Sequence, residues 1–208
     1  MLPPKVLDLS HHNPIGGANN DQDYEAGFTQ ISAAGILGII HKATQGTRSI
    51  DVEYARRREA AIEAGLLWGA YHFADASNPD DQAEHFLAVA KPGDETLIAL
   101  DYEPLAGNTM TLAGARRFLQ NIENAMGRKA VLYSGNLIKQ TMKRPDEYFN
   151  SHRLWLAQYG PAAKLPVGWG RYWLWQFSDK GGFPGVTGNV DKNAFDGDFQ
   201  QLADEWSA

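Results

Sequence analysis

Short apolar runs recur along this chain, and segments with helical spacing of apolar residues separate several of them. Such runs, bounded by turn residues, are typical of buried strands. Alternation of strands with helices predicts a parallel sheet with helices packed outside it. The runs are Val6–Leu9, Ile36–Ile40, Leu66–Phe73, Leu97–Leu100, Ala130–Tyr133, Leu154–Ala157 and Tyr172–Phe177.

Three of the intervening segments predict helices with recognisable ends. One begins after Thr111, a capping residue, and stops at Gly127, which favours a helix end. A second follows Asn78 and Pro79, which supply a cap and a first-turn proline. A third helix is expected over Val52–Ala64.

The last third of the chain lacks this alternation. Its segment Lys180–Gly197, KGGFPGVTGNVDKNAFDG, is rich in glycine and predicts a hairpin or an irregular closure. No low-complexity linker or internal repeat interrupts the 208 residues, a length that suits one large domain. We therefore predict a single catalytic domain over residues 1–208.

Composition excludes several classes of protein. The net charge of −6 provides no basic surface for nucleic acid or anionic lipid. The chain has no cysteine, which excludes disulfides and thiolate metal sites. No apolar run is long enough to span a membrane. We expect no nucleic-acid partner, no membrane insertion and no cofactor, and we expect a monomer.

Acidic residues lie at or beside the ends of the apolar runs. The segment Thr96–Pro104, TLIALDYEP, ends in Asp101 and Glu103, while Asp8 lies in the first run and Asp191 near the C-terminus. Residues two apart on a strand share a face, with Cα atoms roughly 6.6 Å apart. Crowded, buried carboxyl groups keep one member protonated beside ionised neighbours. Cleavage of a glycosidic bond requires that combination.

Eight ordered motifs accompany these acids along nearly the whole chain. They are VLDLSHHN (Val6–Asn13), IIHKATQG (Ile39–Gly46), GLLWGAYHF (Gly65–Phe73), LIALDYEP (Leu97–Pro104), VLYSG (Val131–Gly135), LWLAQYG (Leu154–Gly160), LWQFSD (Leu174–Asp179) and NVDKNAFDG (Asn189–Gly197). In this order they resemble the glycoside hydrolase family 25 lysozymes, N-acetylmuramidases that act on bacterial peptidoglycan. The resemblance implies an irregular α/β barrel, similar to a TIM barrel, with its active site at the strand ends.

The resemblance also implies roles for the four acids. Glu103 matches the proton donor of the family. Asp101 matches the partner that orients or stabilises the substrate N-acetyl group or the intermediate, and Asp8 and Asp191 complete the acidic floor. Because Cα spacing does not fix the separation of the carboxyl groups, a retaining, an inverting and a substrate-assisted course all stay open.

Aromatic and polar residues near the strand ends are expected to bind the glycan strand. Tyr71, Tyr133 and Trp155 are our candidates for sugar contact, because the resemblance places them near the ends of barrel strands. Further candidates for hydrogen bonding, stacking or contact with a substrate carboxylate are Tyr159, Gln176 and Lys42.

One segment departs from the family pattern. After Asp8, the residues His11-His12-Asn13-Pro14 lead into IGGANNDQD, residues 15–23, where the family continues with an aromatic residue and a glutamine. We interpret this polar segment as an inserted loop. It leaves Asp8 intact and changes the shape of the neighbouring subsite.

The chain has six histidines, but their spacing argues against a metal centre. His11 and His12 are adjacent and cannot both point one way on an extended strand, and no H-E-x-x-H pattern is present. His41 and His72 are interpreted as hydrogen-bonded residues beside the site. The run Arg56–Arg58 is interpreted as a solvated helix face.

Other functions are weighed against a muramidase. A chitinase motif aligned on Glu103 requires acids at Thr96 and Ala99, where none stands. A non-catalytic carbohydrate-binding module has no need for all four acids. A metal-dependent cell-wall amidase or deacetylase stays an alternative, because it could recruit the acids and histidines, although their spacing argues against it.

The sequence also favours one biological setting. The start MLPPKVLDLS shows no secretory signal pattern. We therefore expect a phage endolysin, made in the host cytoplasm and released to the wall through a holin pore. The alternative is a secreted bacterial autolysin with the same chemistry.

Overall fold

A computed structural model describes residues 3–17 and 21–208. Part of the predicted inserted loop, residues 18–20, lies outside the described residues. The strands are β1 (Val6–Leu9), β2 (Gly38–Gln45), β3 (Ser49–Ile50), β4 (Leu67–Phe73), β5 (Leu97–Asp101), β6 (Val131–Ser134), β7 (Leu154–Ala157), β8 (Leu174–Ser178) and β9 (Asp191–Ala194). The helices are α1 (Asp21–Ala33), α2 (Tyr54–Glu63), α3 (Pro79–Ala90), α4 (Leu112–Met126), α5 (Asn136–Thr141), α6 (Glu147–Asn150) and α7 (Phe199–Trp206).

Within these described ranges, eight strands close a barrel in the order β1-β9-β8-β7-β6-β5-β4-β2, and a parallel pairing of β1 with β2 completes the ring. Among the described residues, the short β3 pairs with β2 alone and forms a hairpin with the C-terminal end of that strand. The predicted irregular α/β barrel is therefore confirmed.

The barrel strands other than β9 pair in parallel, as the alternating part of the chain predicts, whereas β9 runs antiparallel to both β1 and β8. A parallel return needs a crossover, usually a helix, that carries the chain back to the starting end. Residues 179–190 contain no helix, so the chain turns and comes back in the opposite direction. This is the closure that the glycine-rich segment predicts.

The strands separate two apolar layers. Inward-facing residues such as Val6, Leu97 and Val131 form a cluster inside the barrel, whereas Leu7, Ile98 and Leu132 pack under the helices. Successive strand residues point to opposite faces, so a strand buried on both sides reads as a continuous apolar run.

The C-terminal helix α7 closes the lower end of the barrel, where the parallel strands begin. Leu202 and Trp206 belong to the inner cluster, and Trp206 Nε1 donates to the carbonyl oxygen of Trp68 at 2.8 Å. Chemistry inside the barrel is therefore confined to the opposite end, where the parallel strands finish.

The predicted helix ends are confirmed for α3 and α4. The Asn78 side chain accepts from the backbone N–H groups of Asp80 and Asp81. Thr111 caps α4 in the same way, and Gly127 ends it with φ 68°. Such caps satisfy N–H groups that have no partner within the helix.

Helix α1 was not predicted, because its first residues were interpreted as part of the inserted loop. It buries Tyr24, Phe28 and Ile31 against the barrel. Their spacing of four and three residues is a helical signal present in the sequence. Gly27 permits close packing here, since a Cβ atom would lie 2.5 Å from Ile15 Cγ2.

Candidate active site

The four predicted acids lie together at the upper mouth of the barrel. Asp8 is the penultimate residue of β1, Asp101 ends β5, and Glu103 follows two residues later. Asp191 is the first residue of β9 and reaches the same mouth because that strand is antiparallel. All four line one cavity of about 280 Å³.

The strand pleat explains why the carboxyl groups face inward. Asp8 shares a face with Val6, and Asp101 with Leu97 and Ala99, which all belong to the inner cluster. Asp8 is 7% exposed and Asp101 6% exposed, so both carboxyl groups are buried. Tyr102, between the two acids of β5, packs in the outer layer, as the spacing predicts.

A second cavity, of about 380 Å³, adjoins the first. Glu103 and Tyr133 line both cavities, and the second is also lined by Asn136, Gln158 and Tyr159. The two cavities form a groove that passes over Glu103, with Tyr159 half-exposed at its edge.

The predicted substrate contacts fall into two groups. Tyr71, Tyr133, Trp155 and Lys42 line the acidic cavity, and Tyr159 lines the adjoining one. Their contact with sugar stays a prediction.

Gln176 and Trp155 lie deeper than the other predicted contacts. Gln176 is buried and hydrogen-bonds Asp8 with its side-chain nitrogen. Trp155 is 1% exposed and packs edge-on against Tyr133, with ring centroids 4.5 Å apart.

Asp8 is held by two side-chain amides. Gln176 Nε2 donates to both of its carboxylate oxygens, at 3.2 and 3.1 Å. Asn193 Nδ2 donates to Asp8 Oδ2 at 2.8 Å. Burial raises the pKa of Asp8, and these donors oppose that rise because they stabilise the charged form.

Asp8 and Asp191 are register partners across β1 and β9 and hydrogen-bond to each other. Burial and the neighbouring charge of Asp8 raise the pKa of Asp191 to about 8. A hydrogen bond between two carboxyl groups requires one proton, so the pair carries a single negative charge near neutral pH.

The other two acids share a different neighbour. Burial, followed by the charge of Glu103, raises the pKa of Asp101 well above its ordinary value. Burial and Asp191 raise the pKa of Glu103, while the Lys42 ammonium lowers it. Lys42 lines the same cavity and donates to Gln45 Oε1 at 2.6 Å. The mouth therefore holds protonated and ionised carboxyl groups side by side.

Comparison with known proteins shows to which family the chain belongs. The model of the family described as glycosyl hydrolases family 25 matches residues 7–186. The chain belongs to this family. The acidic groove at the barrel mouth agrees with the glycoside hydrolysis that the description of the family names.

Individual relatives extend this result. YegX of Escherichia coli K12, an uncharacterized protein, is 33% identical over 167 residues, which cover 77% of this chain and 60% of YegX. This chain therefore matches less than two thirds of that relative's length. The bacterial lysozyme from Streptomyces coelicolor is 25% identical with a TM-score of 0.84, covering 99% of this chain and 97% of that one. The muramidase from Acremonium alcalophilum is 28% identical with a TM-score of 0.80, covering 97% and 98%.

Sequence reasoning about this family 25 site missed Asn193. It lies two residues after Asp191 on β9 and therefore shares its inward face. Ser10, His12 and Phe73 also line the acidic cavity and were not predicted as site residues. The signal for Asn193 in the motif NVDKNAF is its spacing of two residues from Asp191, which puts both side chains on one face of a strand.

His41 and His72 are hydrogen-bonded, as predicted. His41 Nδ1 donates to the Lys42 carbonyl oxygen at 2.8 Å. His72 lies 2.8 Å from the Thr44 hydroxyl and 3.0 Å from Gln82 Oε1. Burial lowers the pKa of each histidine to about 4, so both are neutral near neutral pH.

The interpretation of Arg57 as a solvated residue is wrong. Its side chain is fully buried, and Nη1 donates to the Ser10 carbonyl oxygen at 2.8 Å and to His41 Nε2 at 3.1 Å. Arg57 follows Tyr54 by three residues, on the buried face of α2. It therefore ties α2 to the chain just after β1, beneath the acidic mouth.

Cavity size alone does not locate the family 25 site. Cavities of about 320 and 440 Å³ open at the other end of the barrel, beside Trp173, which precedes β8. Barrels of this kind place their chemistry at the carboxyl ends of the parallel strands.

In the described ranges, no group of three or more ligating side chains is arranged for a metal ion, and no helix has the length and apolarity to cross a bilayer.

Proposed function

We propose that this chain is a lysozyme, an N-acetylmuramidase that hydrolyses the β-1,4 bond between N-acetylmuramic acid and N-acetylglucosamine in bacterial peptidoglycan. The observation that carries the proposal is the convergence of Asp8, Asp101, Glu103 and Asp191 on one cavity, which a second cavity extends past Glu103. Membership of family 25 supports the same chemistry.

Glu103 is the proposed general acid. It lines both halves of the groove, so a glycosidic oxygen lying across their junction is within reach of its carboxyl group. Burial keeps that group protonated to a higher pH than usual. Glu103 gives its proton to the bridging oxygen as the bond to the anomeric carbon breaks. Water then supplies a hydroxyl group to that carbon and a proton that restores Glu103.

Asp101 is the proposed partner in this step. Its carboxyl group is buried in the mouth and lines the same cavity as the general acid. A carboxyl group there accepts the N–H of the 2-acetamido group through an oxygen in either protonation state, and in its ionised form it stabilises the positive charge that develops at the anomeric carbon.

Analysis of the products of a wall digest tests the proposal. Purified peptidoglycan treated with the protein is expected to release fragments with new N-acetylmuramic acid reducing ends. New free amines without reducing ends would instead identify the amidase or deacetylase chemistry. A chelator is expected to leave the rate unchanged, whereas loss of activity restored by zinc would also favour that alternative.

We further propose that the enzyme acts as a phage endolysin and causes cytolysis of the host after release through a holin. The setting is tested by expressing the chain in the cytoplasm of a susceptible bacterium. Lysis only when a holin is co-expressed supports the endolysin, whereas lysis without a holin supports an exported autolysin.

A further inference from the structure

The two side-chain amides that hold Asp8 each have a fixed orientation. Gln176 and Asn193 point their N–H groups at Asp8, at 2.8 to 3.2 Å. An amide carries its donors on one atom and its acceptor on the other. Rotation of either amide by half a turn would therefore place a carbonyl oxygen against the carboxylate.

Trp155 determines the orientation of Asn193. Its indole Nε1 donates to Asn193 Oδ1 at 2.6 Å. An indole N–H can only donate, so the oxygen of the amide has to face it. Asn193 Nδ2 also donates to the Val6 carbonyl oxygen at 3.1 Å, which holds the amide from the other side.

Two tyrosines orient Gln176 in the same way. The hydroxyl groups of Tyr133 and Tyr159 both donate to Gln176 Oε1, at 3.0 and 3.2 Å. With its oxygen engaged by two donors, Gln176 turns its nitrogen to Asp8. A flipped amide would need both phenols to become acceptors at once.

The consequence concerns the single proton shared by Asp8 and Asp191. The Asp8 oxygens already accept N–H groups from both amides, and donors of this kind favour the ionised form. The carboxyl hydrogen that joins the two side chains then belongs to Asp191.

We propose that Trp155, Tyr133 and Tyr159 are positioning residues, which orient Asn193 and Gln176 so that Asp8 stays an anion and Asp191 carries the proton. The catalytic consequence rests on the proposed function. An anionic Asp8 and a neutral Asp191 lie beside Glu103, and the reaction uses that charge pattern.

Several other ionisable groups face the pair and enter its titration. The Lys42 ammonium interacts electrostatically with Asp101 and Glu103. Those two acids in turn interact with the pair. The groups whose charges act on Asp8 or Asp191 are Asp101, Glu103, Asp179, Tyr71, Tyr133 and Tyr159.

Carboxyl titration by NMR on the whole chain, without substrate, tests where the proton lies. In the wild type, the Asp191 carboxyl carbon is expected to titrate at higher pH than that of Asp8. In the double variant Tyr133→Phe/Tyr159→Phe, no phenol orients Gln176, so its amide can turn and its hydrogen bond to the Asp8 carboxylate is lost. The lower apparent pKa of the pair is therefore expected to rise by about one unit.

A matched control separates this effect from the loss of any phenol. Tyr148 lies on α6, away from the mouth, and its hydroxyl group donates to Glu123 at 3.4 Å. Tyr148→Phe removes that hydroxyl group. This variant should titrate like the wild type. The proposal is overturned if the double variant also titrates like the wild type, or if Asp8 proves to be the protonated member.

Activity provides a second readout. If Asp8 has to be ionised, the acid limb of kcat/KM moves to higher pH in the double variant and in Trp155→Phe. A role in sugar contact alone would raise KM at every pH and leave the acid limb in place, which would also overturn the proposal. Should the wild type release no reducing ends, the proposed function fails, while the NMR titration still decides the position of the proton.

Discussion

Asp8 in β1 and Asp191 in β9 face each other as register partners of an antiparallel strand pair. The two residues lie at opposite ends of the chain, and their carboxyl groups share a hydrogen bond in the barrel mouth. Direct pairing of acids across a sheet is destabilising when both are charged. The pair therefore connects the ionisation of the site with the stability of the barrel closure.

Replacement of Asp191 by asparagine is expected to stabilise the protein at high pH. The folded carboxyl group has a pKa raised from 3.8 to about 8, so folding takes up a proton between these values. Stability from this group is complete at low pH and is lost as the pH rises through about 8. The introduced asparagine side chain cannot ionise and keeps an N–H donor for Asp8.

Thermal unfolding at pH 5 and pH 8 measures this effect. Relative to the wild type, Asp191→Asn should gain ~2 kcal/mol more at pH 8 than at pH 5, equivalent to roughly 4–8 °C in Tm. The exposed Asp94→Asn serves as the control and should show no such difference. An equal gain at both pH values would contradict the assigned ionisation.

Glu103→Gln is expected to lower the proposed muramidase activity by at least about 100-fold, because the proposed general acid is lost while the side-chain shape is kept. Glu95→Gln, at an exposed turn before β5, is the matched control and should act at the wild-type rate. Turbidity loss of a wall suspension gives the rates, and circular dichroism checks the fold. Clearance by Glu103→Gln at the wild-type rate would remove Glu103 from the reaction.

Lys42→Met is expected to move the basic limb of the pH–activity profile upward. The ammonium group lowers the pKa of Glu103, so its removal lets Glu103 keep its proton to a higher pH. The shift should be roughly 0.5–1 pH unit, since the group is partly solvated.

Lys129→Met is the control for this prediction. Its ammonium donates to Ser151 Oγ on the exposed surface. The profile of the control should match that of the wild type. A basic limb that stays in place or moves downward in Lys42→Met would show that this lysine does not act on the general acid.

Gly46→Ala is expected to destabilise the rim of the mouth. Gly46 follows β2 with φ 54°, and a Cβ atom there would lie 2.3 Å from Asp75 Oδ2. Gly107 has a similar φ of 71° but open space around its Cβ position. Gly107→Ala therefore reports the backbone strain alone, ~1 kcal/mol.

Urea unfolding compares the two glycine variants. Gly46→Ala should lose at least ~1 kcal/mol more than Gly107→Ala, because overpacking adds to the strain. Equal losses would mean that Asp75 moves aside freely.

Much of the barrel could be predicted from the sequence because strands buried on both faces leave continuous apolar runs. Val6–Leu9 and Leu154–Ala157 are strands with the predicted bounds. Helix α1 was missed because the polar residues at its start match a loop equally well. Strand β9 was missed because only Asn193 and Ala194 are buried, so its four residues give no apolar run.

The sequence by itself determined most strands of the barrel, three of its helices, the two-residue spacing of Asp101 and Glu103, and the family of the fold. Only the tertiary structure decided that Asp191 reaches the same mouth on a reversed strand, and that Gln176 and Asn193, 168 and 185 residues away along the chain, hold Asp8. The spacing of apolar residues along a short segment shows which of its side chains are buried, so burial within one strand or helix can be predicted from the sequence. Ionisation depends on burial and on every charge and donor that closure of the barrel brings within reach.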